Sequence, residues 1–140
     1  MNKRAVLGLL AGITTAAVIM PVSSALACSN KESHSALAQY VEIIVKNNGA
    51  EPFDVKFLED LMPKGTQSVI PGKSVSYNAS ISADGTIQYT TRIGESSDAD
   101  FKVVNSGGTK WEKVGIPDNI KCSRDWGKTN KRWKVTYTVQ

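Results

Sequence analysis

The sequence predicts an all-β protein: an antiparallel, immunoglobulin-like β-sandwich of about seven or eight short strands, with a small barrel as the alternative. Three observations carry this. Apolar and polar residues alternate in repeated runs between residues 40 and 139, turn-forming residues separate the runs, and no long amphipathic helical pattern follows residue 27.

The first residues read as a leader, not as part of that fold. Lys3 and Arg4 precede an apolar run from Ala5 to Met20, Pro21 breaks it, and Ala25-Leu26-Ala27 supplies a small-x-small ending. That is the three-part pattern of a cleaved secretory signal peptide over residues 1–27. The run is interrupted by Gly8, Gly12, Thr14 and Thr15, so it is poorly suited to span a bilayer. Residues 28–140 are then expected as a single β-sandwich domain, without a transmembrane segment after cleavage and large enough to bury a core.

Cys28 and Cys122 are the only two cysteines, and in an exported protein they are expected to form one disulfide. The alternative is a lipid anchor on Cys28. A bacterial lipoprotein signal resembles Leu-(Ala/Ser)-(Gly/Ala)-Cys, and Ala27 fits it, but Ala25 stands where the leucine belongs. The disulfide is the preferred reading, with a secreted or periplasmic location.

Within the domain, Ser29 to Gln39 reads as a tail or a single helical turn. Val41, Ile43 and Val45 alternate with Glu42 and Lys46, a first strand of β-branched residues. Asn47-Asn48-Gly49 is turn chemistry, and Phe53, Val55 and Phe57 alternate with Asp54 and Lys56, so these two runs are expected to pair as a hairpin. Glu59 to Gln67 loses the alternation and holds Pro63 and Gly65, which predicts a loop or crossover. After Pro71-Gly72, the run Val75, Tyr77, Ala79, Ile81 and the run Ile87, Tyr89, Thr91, Ile93 flank Asp84-Gly85 as a second expected hairpin. Gly94 to Asp100 reads as an acidic loop, and residues 101–104 and 110–114 as short strands about a Ser106-Gly107-Gly108-Thr109 turn. Ile120 to Cys122 is extended, Arg124 to Lys131 reads as a polar loop holding Trp126, and Trp133, Val135, Tyr137 and Val139 share one face of a final strand.

Little in the sequence points to catalysis. His34, the single histidine, lies in the weakly patterned lead, where a general base lacks a rigid scaffold. One histidine and two oxidised cysteines do not make a zinc site. Glu59-Asp60 and Asp98/Asp100 are carboxylate pairs without a calcium-loop spacing, and Ser106-Gly107-Gly108-Thr109 lacks the lysine and helix of a phosphate loop. Asn78-Ala79-Ser80 matches a glycosylation acceptor, which carries meaning only in a eukaryotic host. No cofactor or metal is implied, and a hydrolase with an unrecognised site is the residual enzymatic reading.

Charge is uneven along the chain. The formal charge of +4 falls to +2 when Lys3 and Arg4 leave with the leader, yet residues 51–100 carry −4 and residues 101–140 carry +6. The cations of the last segment interleave with tryptophans, and Arg124, Trp126, Lys128, Lys131 and Arg132 are the candidate binding residues. The expectation is a non-enzymatic binding module for a protein or a cell-envelope glycan. An anionic headgroup or membrane surface is the alternative partner, and export argues against nucleic acid.

Overall fold

The computed structural model describes Cys28 and residues 31–140; the leader expected over residues 1–27 lies outside the described residues. Among the described residues the chain forms ten strands and no helix: β1 (Lys31–His34), β2 (Tyr40–Asn47), β3 (Phe53–Glu59), β4 (Met62–Val69), β5 (Ser74–Ser80), β6 (Gly85–Ile93), β7 (Ser97–Asn105), β8 (Thr109–Gly115), β9 (Ile120–Gly127) and β10 (Arg132–Val139). They build two open sheets, one in the order β1-β8-β7-β6-β3-β4 and one in the order β5-β2-β10-β9. The architecture is a β-sandwich, and neither sheet closes into a barrel.

The inward faces follow from the period-2 pattern. Val41, Ile43 and Val45 of β2 and Trp133, Val135 and Tyr137 of β10 are buried from one sheet. Val55 and Phe57 of β3, Tyr89 of β6, Phe101 and Val103 of β7 and Trp111 of β8 meet them from the other. Rings stack along the larger sheet, Tyr89 on Phe101 at 5.1 Å and Phe101 on Trp111 at 5.9 Å between centroids. Phe57 and Tyr77 stack across the two sheets at 5.4 Å.

Several sequence expectations are corrected. β2 and β3 do not form a hairpin: β2 lies between β5 and β10, while β3 lies between β4 and β6 in the opposite sheet. Likewise β5 and β6 are both strands, but the link after Ser80 carries the chain from one sheet to the other. Alternation reports which face of a strand is buried and is silent about its partner. The stretch read as a loop over Glu59 to Gln67 holds β4, an edge strand pairing Phe53↔Val69 through Glu59↔Met62. Seven of its eight residues are exposed, so it needs no apolar face, and its edge position tolerates Pro63.

The acidic loop is also shorter than expected, since β7 begins at Ser97 and pairs Asp98 with Arg92 of β6. The polar loop at Arg124 is really the second half of β9. The lead holds β1, which pairs antiparallel with β8 and places Glu32 opposite Trp111. The β7–β8 hairpin and the final strand stand where the sequence puts them.

β2 and β10 run parallel, Tyr40 opposite Arg132 and Asn47 opposite Val139. The disulfide joins Cys28 to Cys122, with Cα atoms 5.5 Å apart. It ties the segment leading into β1, an edge of one sheet, to β9, an edge of the other.

Candidate functional site

Four chain links meet at one end of the sandwich: those between β1 and β2, β5 and β6, β7 and β8, and β9 and β10. Polar side chains at inward strand positions stitch them together. Asn105 Nδ2 donates to the carbonyls of Ala38 at 2.9 Å and Ser82 at 2.8 Å. Thr109 Oγ1 donates to the Ala36 carbonyl at 2.6 Å and accepts from the Ala38 amide. The Gln39 amide donates to the Lys131 carbonyl at 2.7 Å, and the Ile81 amide donates to the Gln39 carbonyl at 2.8 Å. Buried or partly buried, these bonds tie the four links into one platform. Gly108 is required there, because a Cβ on it would lie 2.7 Å from the His34 carbonyl oxygen.

The candidate residues divide on this platform. Arg124 follows Ile120 and Cys122 on the inward phase of β9, and its side chain is only 4 % exposed. Its Nη1 pairs with Glu32 Oε2, and its guanidinium carbon lies 4.8 Å from the Trp111 ring centroid and 5.6 Å from that of Trp133. Burial lowers its hold on the proton, yet an arginine remains charged in a protein. Arg124 is therefore an internal strut between the sheets.

Trp126, next on the same phase, is partly buried. His34 stacks on it at 4.7 Å and 14°, and meets Trp133 edge-on at 4.8 Å. His34 Nε2 sits 2.9 Å from Glu32 Oε1 without hydrogen-bond alignment. Burial pushes the imidazole below its ordinary value, and the charge of Lys128 adds to that. The carboxylate that would hold the proton on His34 is already committed to Arg124.

Lys128 and Lys131 stand exposed on the β9–β10 turn, Lys131 in a left-handed conformation at φ 48°. Arg132 Nη1 reaches Glu42 Oε2 at 3.4 Å across the parallel pair. Tyr40, opposite Arg132, is 46 % exposed. The structure thus brings Trp126, Lys128, Lys131 and Arg132 to one end and withdraws Arg124 into the interior.

Sequence reasoning missed Glu32, His34 and Tyr40 as members of this end. A signal for Arg124 was present, since it shares strand phase with Cys122. The suspected carboxylate pairs are structural. Glu59 accepts from the Tyr77 hydroxyl at 2.8 Å and pairs with Lys64, Asp60 accepts from the Gln88 amide, and Asp98 clamps Arg92. Among the described residues no cluster of His, Cys, Asp and Glu is placed to hold a metal ion, and no helix is long and apolar enough to cross a membrane.

No protein-family model, curated protein or solved structure matches the chain. Fold and site together define a disulfide-linked β-sandwich with a rigid, cationic loop end.

Proposed function

We propose that the protein is an exported, non-enzymatic binding module that docks its β9–β10 end on an acidic protein surface of the cell envelope. The division among its cations carries this reading. Arg124 and Arg132 are held by Glu32 and Glu42, whereas no carboxylate of the described residues lies at ion-pair distance from Lys128 or Lys131. Two unpartnered lysines on a rigid turn, beside exposed Tyr40 and the partly exposed Trp126, suit the mixed aromatic and cationic character of protein interfaces. The single histidine supports a non-catalytic role, because its Nε2 is buried beside the Trp126 and Trp133 rings and faces Glu32. The Ala25-Leu26-Ala27 leader ending and the Cys28–Cys122 disulfide suit an oxidising compartment, secreted or periplasmic.

The test compares wild type with a Lys128→Glu/Lys131→Glu variant over immobilised poly-L-glutamate and with phosphatidylglycerol vesicles, across a salt series. Wild type is expected to be retained on poly-L-glutamate, to weaken as salt rises, and to exceed the variant by about tenfold or more. Equal retention of both proteins moves docking away from this end. Vesicle binding without retention on poly-L-glutamate replaces the protein partner by an anionic headgroup.

A further inference from the structure

The opposite end of the molecule carries a second polar feature, on the outward face of the larger sheet. An open groove of about 700 Å³ lies over β3, β4 and β6, lined by Asp54, Lys56, Thr66, Ser68, Arg92 and Glu95 among others. That volume falls within the range of about 300–1,000 Å³ usual for small-molecule sites. Strand register explains the lining. Lys56 lies between Thr66 of β4 and Arg92 of β6, and Asp54 lies beside Ser68. On the other side of Asp54 the chain has turned at Gly94, whose amide donates to the Asp54 carbonyl at 2.8 Å. A Cβ at Gly94 would meet nothing within 4 Å, so the face stays uncovered there.

The two cations in the groove differ: one is held by the fold and the other is not. Arg92 is clamped by Asp98, Nε to Oδ1 at 2.9 Å and Nη2 to Oδ2 at 3.2 Å. Lys56 sits directly opposite Arg92 on the neighbouring strand, and no carboxylate of the described residues is at ion-pair distance from it. Asp98 offsets the charge of Arg92, so Lys56 is the groove cation without a paired carboxylate among the described residues. A cation that the scaffold does not pair is free to take an anionic group of a ligand.

The rest of the lining narrows the ligand. Asp54 and Glu95 are acceptors that repel a ligand of high negative charge and reward one rich in hydroxyl donors. Thr66 and Ser68 both donate and accept. An aliphatic acid would use none of those hydroxyl-binding groups, and a neutral sugar would make no use of the Lys56 charge. We propose that the groove binds a sugar acid, free or as a residue of a polysaccharide. Lys56, with Arg92 beside it, takes the carboxylate, and Asp54, Glu95, Thr66 and Ser68 take the ring hydroxyls. This site shares no residue with the β9–β10 end, so either reading stands if the other fails.

Galacturonic acid, galactose and inorganic phosphate are titrated separately into the exported protein and read by amide chemical shifts, with wild type and Lys56→Gln compared. Galacturonic acid is expected to move amides of residues 53–56, 66–68 and 92–95. Galactose and phosphate should bind about tenfold or more weakly, as should galacturonic acid to the variant, which loses a charge-assisted contact. Lys56→Gln should melt no lower than wild type. A response to galactose equal to that to the acid, shifts confined to residues 128–131, phosphate binding as tightly as the sugar acid, or no shifts at all would each overturn the assignment. A lower melting temperature for Lys56→Gln would make the lysine structural and overturn it as well.

Discussion

His34 shows how a residue's neighbours set its charge. Its ordinary value of 6.5 is lowered by burial and by Lys128, while Glu32 spends its charge on Arg124. The unfolded chain therefore takes up the proton first as pH falls. The stability contributed by neutral His34 is complete above the unfolded value of 6.5 and is lost as pH falls from there through the lower folded value. Urea midpoints of wild type should drop on acidification through that range, and those of His34→Phe should drop less. A wild-type midpoint that rises on acidification would contradict this account. The residue scale is also where the sequence was most misleading. Arg124 and His34 look like surface groups in a polar segment, yet they sit inward because their strand phases place Cys122 and Glu32 on the same side. Phase was legible for Arg124, since Cys122 was expected in a disulfide. It was not legible for His34, because a four-residue strand whose inward positions are polar carries no hydrophobic alternation.

Among the elements, the β3–β4 hairpin is the one whose turn chemistry goes against its backbone. Glu59 pairs with Met62, leaving Asp60 at φ 46° and Leu61 at φ 70° as the two turn residues. Such a turn favours Asn or Asp followed by Gly, and a leucine in the left-handed region is unfavourable. Leu61 is 73 % exposed, so packing does not compensate. Leu61→Asn should raise stability by about 0.5–1 kcal/mol in chemical denaturation, because asparagine tolerates this conformation. A loss of stability would show that the exposed leucine packs usefully in the folded state. The same hairpin marks the limit of reading elements from sequence. Strands with a buried face, such as β2, β5, β6 and β10, announce themselves by alternation. Edge strands β1 and β4 do not, because little of either is buried. Partner choice is harder still, since it is set by which sheet each strand joins; β2 finds β5 and β10 instead of its chain neighbour β3.

For the whole molecule, the disulfide is the long-range tie, closing a sequence separation of 94 residues between the two sheets. In the chain-entropy account a loop of that size is worth about 4–5 kcal/mol through the unfolded state. The Cys28→Ser/Cys122→Ser variant should lose stability of that order in urea titration, with most of the sandwich core intact because the cystine lies at its margin. A loss below about 1 kcal/mol would mean that the unfolded chain is already compact across that span. The parallel β2–β10 pair adds a constraint of timing. β2 takes β10 as its parallel partner, so the smaller sheet cannot assemble until residues 132–139 are present. Cys28 waits on the same final third of the chain for Cys122. During synthesis β2 therefore lacks its β10 partner until residues 132–139 are made, and Cys28 lacks its own until residue 122. Early closure of the smaller sheet is therefore discouraged by topology alone.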